Sequence, residues 1–218
     1  DAESIEASMQ TATRWVFSLV LPTFLVLLMF SDKVLKILWG SQYTQASIAL
    51  SLLACGYLID ALVGRVGSFL NSTGHTKYIL YNNVAALTLN LILNIALIPI
   101  YGIIGAAIAT ATSTILTNLL MFSEVWRKEN VISIPYNAVS RITFAGLLSL
   151  LPVIGLDRLL FTNTPYWFLI PAGLIYGLTY VVLYLAIVGL RKEEKEVLER
   201  VGELTGQEKI VEKLFYII

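Results

Sequence analysis

Residues 78–123 read YILYNNVAALTLNLILNIALIPIYGIIGAAIATATSTILTNLLMFS, a run of 46 without Asp, Glu, Lys or Arg. One bilayer-crossing helix needs about 20 mainly apolar residues. The run is therefore long enough for two crossings, and Pro99–Gly102 supplies a tight turn between them. A second uncharged run, Leu159–Leu190, extends for 32 residues. Across all 218 residues, hydrophobic types make up 57% and charged types 14%. An ordinary soluble domain has about 25% charged residues, so the composition points to lipid as the solvent. Of the charged residues, 13 fall between Arg191 and Lys213, and the first 190 positions hold only 17. Disordered, disulfide-rich and nucleic-acid-binding classes are excluded as the main reading.

Working outward from that run predicts an all-α polytopic membrane protein with six spans. They cover about 15–30, 46–70, 78–98, 103–125, 138–156 and 166–189, giving a transmembrane lobe over 1–189. Pro22 lies inside the first span, and Asp32–Gly40 reads as a short helix lying in the interface. Residues 190–218 form a charged, partly helical tail. Lys and Arg fall nine to three on one side, which the positive-inside rule makes cytoplasmic. The nine are Arg14, Lys77, Arg127, Lys128, Arg141, Arg191, Lys192, Lys195 and Arg200; the three are Lys33, Lys36 and Arg158. Six spans then place both ends of the chain in the cytoplasm. Cys55 is alone and forms no disulfide within the chain. Asp1 rather than Met opens the sequence, so we expect it to start partway through a longer protein.

Catalysis finds little support: there is one histidine, His75, and no metal-ligand cluster, P-loop or nucleophile elbow. The sharpest features are Asp60 and Arg65, both predicted within the second span. Asp60 falls near its middle and is the only carboxylate predicted inside a span. A charge at mid-bilayer costs about 2.5–3.5 kcal/mol and should face protein or a watery cavity. Asp60 suits a proton or cation site and Arg65 an anion contact. The plainer alternatives are an inter-helix salt bridge for Asp60 and snorkelling for Arg65. Asn83, Asn90 and Asn94 share one helical face, as do Thr110, Thr114 and Thr117, with Asn118 alongside. These groups either bond across helices or line a wet path, and packing is the better account of the threonines.

The stretch 91–110, LILNIALIPIYGIIGAAIAT, closely resembles a hallmark of the polysaccharide flippase branch of the multidrug/oligosaccharidyl-lipid/polysaccharide exporter superfamily. Residues 67–77, GSFLNSTGHTK, and more weakly 38–46, LWGSQYTQA, resemble it too. The resemblance implies two six-helix lobes around a central cavity, of which this chain would be the C-terminal one and the N-terminal lobe its partner. It implies alternating-access transfer of a lipid-linked oligosaccharide or polysaccharide precursor from the cytoplasmic to the outer leaflet of a prokaryotic cell membrane. Cavity cations would meet the lipid pyrophosphate: Arg65 within a span, with Arg14, Lys77 and Arg141 near the inner mouth. No catalytic residue, cofactor, metal or nucleic acid is expected, and coupling to a proton or sodium gradient stays open. A doubly negative pyrophosphate leaving a negative cytoplasm would release about 4–5 kcal/mol per 100 mV. Two alternatives are kept: a cation-coupled multidrug-type exporter, and a non-transporting membrane scaffold for polysaccharide assembly.

Overall fold

A computed structural model describes residues 2–160 and 165–189; the expected charged tail at 190–218 lies outside them. Helices α1 (Ala2–Trp39), α2 (Ser47–Val63), α3 (Val66–Ser72), α4 (Thr76–Tyr101) and α5 (Ile103–Glu129) come first. They are followed by α6 (Tyr136–Leu148), α7 (Leu150–Leu160) and α8 (Leu169–Leu183), which ends in a π-helical turn, Tyr184–Val188. Among the described residues, six segments are long and apolar enough to cross a membrane: Ile5–Trp39, Ser41–Val63, Thr76–Tyr101, Ile103–Glu129, Tyr136–Arg158 and Leu169–Val188. The chain is a multi-pass, all-α membrane protein. Its proximal end gathers Arg14, Gly64, Thr76 and Glu129; Trp39, Gly40 and Gly102 lie at its distal end.

The expected division between the first span and the segment after it falls at a kink in α1, at Phe30, where φ is −128° and ψ 23°. Two other predicted boundaries are corrected. Pro99 lies inside α4, so the reversal rests on Gly102 alone, at φ +56°. The second span is interrupted at Gly64 and Arg65, which separates α3 from α2. Asp60 therefore sits in the last turn of α2, not at mid-span.

The α4–α5 hairpin closes tightly because Gly105 has no side chain. A Cβ there would lie 2.4 Å from the Leu97 carbonyl oxygen, a backbone atom that cannot swing aside. At the proximal end His75 pairs with Glu129 at 3.2 Å, and the Lys128 ammonium lies over the Tyr78 ring. A polar seam joins the two helices between these ends. Asn82 donates to Glu124 at 2.7 Å, Asn90 to the Ser113 hydroxyl at 3.1 Å, and Asn94 to Asn90 at 2.8 Å.

Two apolar clusters hold the rest. Phe17, Leu21, Leu25, Ile142, Val153 and Ala172 pack α1 against α6, α7 and α8, while Val63, Val66, Leu70, Met121 and Val125 pack α2 and α3 against α5. The surface beyond is apolar: Leu87, Ile95 and Leu178 are each about 70% exposed, as expected where hydrocarbon is the neighbour. Pro22 shows how α1 crosses that core without breaking. Lacking an N–H, it leaves the Ser18 carbonyl without its helical donor, and the Tyr180 hydroxyl of α8 donates to that oxygen at 2.7 Å. Tyr180→Phe should leave the carbonyl unsatisfied and cost about 1–3 kcal/mol. A lowered melting temperature of the purified protein in detergent would show it; an unchanged one would contradict this account of the proline.

Candidate functional site

The interruption of the second span shapes a cleft of about 460 Å³ between α2, α3 and α5. At the end of α2 the Gly64 N–H still donates to the Asp60 carbonyl, at 3.1 Å, before Gly64 leaves the helix at φ +81°. That conformation costs a side-chain-bearing residue free energy and is open to glycine. The chain then turns into α3 at Arg65. The cleft wall is polar: Asp60, Arg65 and Ser68 come from the interrupted span, and Thr114, Thr117 and Asn118 from α5. Asp60 and Arg65 are both exposed. Arg65 donates to the Ser68 hydroxyl at 3.2 Å.

Thr117 and Asn118 spend part of their hydrogen-bonding capacity on their own helix. The Thr117 hydroxyl donates to the Ser113 carbonyl at 2.9 Å, and the Asn118 amide to the Thr114 carbonyl at 3.0 Å. Thr114 lies near the middle of the fourth crossing and Met121 seven residues nearer its proximal end. At 1.5 Å per residue the cleft's α5 wall is about 10 Å tall. The cleft as a whole combines one cation, one carboxylate and several neutral hydrogen-bonding groups. An anionic group and a set of hydroxyls could both be bound there.

The structure brings together five of the residues expected from sequence: Asp60, Arg65, Thr114, Thr117 and Asn118. The others are placed elsewhere. Asn90 bonds Ser113 across the α4–α5 seam and Asn94 bonds Asn90 along α4, so neither lines that cleft. Asn83 is exposed on α4 and makes no part of that cleft; the buried residue is its neighbour Asn82. Thr110 lines a separate, largely apolar groove of about 300 Å³ with Leu50, Leu53 and Ala107. Lys77 and Arg141 are exposed at the start of α4 and on α6. Arg14 is only 3% exposed and donates to the Gly189 carbonyl, so it staples α1 to the end of α8 and does not stand open at a mouth. A carbonyl at a helix C-terminus is a natural partner for a cation.

Sequence reasoning also missed residues. Ser68 follows Arg65 at i+3 and therefore shares its helical face, a legible signal. Glu124, already within the predicted bounds 103–125 of the fourth span, lies inside α5, so Asp60 is not the only carboxylate within a span. Among the described residues, no group of three His, Cys, Asp or Glu could hold a metal ion.

The MatE family profile matches residues 1–96. A probable low-salt glycan biosynthesis flippase, Agl15 of Haloferax volcanii, is 33% identical over 152 residues, 68% of this chain and 32% of that protein. An uncharacterized membrane protein of Methanocaldococcus jannaschii, MJ1068, is 26% identical over 181 residues, 81% of this chain and 34% of that protein. The chain thus spans about a third of the length of these curated relatives. Among solved structures, lipid II flippase MurJ in an inward closed conformation superposes with a TM-score of 0.70 at 21% identity, covering 85% of this chain and 40% of that one. The six-span arrangement is therefore a MurJ-like lobe.

Proposed function

We propose, from the premise that this chain belongs to the polysaccharide-flippase-type exporters of the multidrug/oligosaccharidyl-lipid/polysaccharide exporter superfamily, that it forms one lobe of a flippase for a lipid-linked saccharide. The N-terminal lobe of the same protein is its partner, and the two enclose a cavity that opens alternately to each side. One observation carries the reading. Asp60 and Arg65 are exposed at the proximal end of the second span, beside Ser68, Thr114, Thr117 and Asn118. Charges turned toward hydrocarbon are costly; facing a wet cavity, neither is. Arg65 meets the phosphates of the lipid linker, and the hydroxyls and amide serve the saccharide. Transport of this kind needs no covalent step. The proximal end, with Lys77, Arg127, Lys128 and Arg141, is the cytoplasmic one, in a prokaryotic cell membrane. The relatives' names, a glycan biosynthesis flippase and a lipid II flippase, support a cargo of this class.

The full-length protein in liposomes should move a fluorescent lipid-linked oligosaccharide between leaflets well above the rate in protein-free vesicles. Equal rates would overturn the proposal.

A second reading, cation-coupled drug export, is favoured by the Asp60 carboxylate on the cleft rim. Asp60→Asn separates the two. A flippase that uses Asp60 as a saccharide contact should lose about 10- to 150-fold in rate, from one charge-assisted hydrogen bond of about 1.5–3 kcal/mol, with its response to a proton or sodium gradient unaltered. Abolished gradient-driven efflux of a cationic drug would favour the exporter.

A further inference from the structure

The interruption that carries Asp60 and Arg65 is fastened from a distant part of the chain. Where a helix stops, its last carbonyls lose their donors. The Val63 carbonyl, at the end of α2, accepts instead from the Ser133 hydroxyl at 2.6 Å, across 70 positions of sequence. Ser133 is fully buried. It lies in the extended connection between α5 and α6, and that connection is strapped to α1. Gln10 donates to the Ile132 carbonyl at 3.0 Å, and the Ile132 N–H donates to Glu6 at 3.3 Å. Gln10 also donates to Glu6 at 3.1 Å, which fixes both side chains of the strap. At the next residue α1 presses Thr13 against Gly64 so closely that a Cβ on Gly64 would overlap the threonine hydroxyl oxygen. The interrupted segment is thus held by both Thr13 and Ser133.

We infer that Ser133 is a positioning residue for the cleft: by bonding Val63 it fixes the end of α2 and the heading of Arg65, and the Glu6–Gln10 strap fixes Ser133. The inference rests on the proposed role of the cleft. Its first test, however, needs no substrate. In the full-length protein with Cys55→Ala, Arg65→Cys reports the position of residue 65 through its reaction rate with a charged maleimide. Ser133→Ala should change that rate about fivefold or more, Ser133→Thr should restore it, and Gln10→Ala should shift it in the same direction. An unchanged rate in both Ser133→Ala and Gln10→Ala would overturn the inference, whatever the fate of the transport reading.

The second test is kinetic and carried out with Arg65 present. Ser133→Ala should raise the KM for a lipid-linked oligosaccharide about tenfold while the maximal rate stays within about twofold. In an Arg65→Ala background it should add nothing, as for residues acting through one another. Additive losses would mean that Ser133 only stabilises the fold and would overturn the positioning role. A wild-type protein that moved no saccharide, yet showed the labelling shift, would sink the transport proposal and leave the positioning intact.

Discussion

Arg65→Glu in the full-length protein is expected to reduce movement of a lipid-linked saccharide at least 100-fold, with folded yield and melting temperature close to wild type. The size follows from two effects on one rim. The guanidinium that meets a phosphate is lost, and charge-assisted bonds of that kind are worth about 1.5–3 kcal/mol. In its place stands a second carboxylate near Asp60, which repels the same anion. Stability should hold because Arg65 is exposed and its hydrogen bond, to Ser68, is exposed too. Arg65→Lys keeps the charge but not the planar fork and should retain an intermediate rate. Exchange between leaflets, followed by reduction of an outer-leaflet fluorophore, measures all three. A wild-type rate in Arg65→Glu would remove this residue from the cargo path.

Gly105→Val should have the largest effect on folding. Its Cβ would enter the space held by the Leu97 carbonyl carbon and oxygen and the Ile98 nitrogen, all within 3.0 Å and all backbone. Overpacking a core usually costs about 1–3 kcal/mol; here the α4–α5 hairpin must separate, so the upper end or beyond is expected. The Asn90–Ser113 bond, eight residues along α5, would be stretched by the same separation. Thermal unfolding of the purified protein should show a large loss, or no folded protein should be recovered. Gly173→Ala on α8 is the matched control. Nothing lies within 4 Å of the added carbon, so the protein should be unchanged or slightly more stable, as helix propensity favours alanine.

The α4–α5 hairpin was plain in the sequence because its signal is local: 46 residues free of charge, two helix lengths, and glycines at the reversal. The interruption at Gly64 was hidden for the opposite reason. Gly64–Arg65 sits in an apolar run that would tolerate a glycine within a continuous helix. What stops the helix is tertiary, the Thr13 side chain against Gly64 and the Ser133 hydroxyl on Val63. That one missed break moved Asp60 from mid-span to a helix end. The asparagine stripe was half legible. Asn90 and Asn94 were rightly grouped, but whether Asn82 or Asn83 belonged with them depends on where α5 lies and on Glu124 waiting there. Arg14 was expected open at the inner mouth because a cation beside the start of a span reads as cytoplasmic, whereas its partner, the Gly189 carbonyl, comes from 175 positions away. Residues on α5 fared best, since Thr114, Thr117 and Asn118 share one face of one uninterrupted helix.

The most direct measurement asks whether water and cargo reach the α5 wall of the cleft. In full-length protein carrying Cys55→Ala, Thr114→Cys should react with a membrane-impermeant charged maleimide, and a lipid-linked oligosaccharide should protect it. Leu178→Cys, on the lipid-facing surface of α8, should stay inert under the same conditions. If Thr114→Cys proves as unreactive as Leu178→Cys whether cargo is present or absent, the cleft is dry and the flippase account fails.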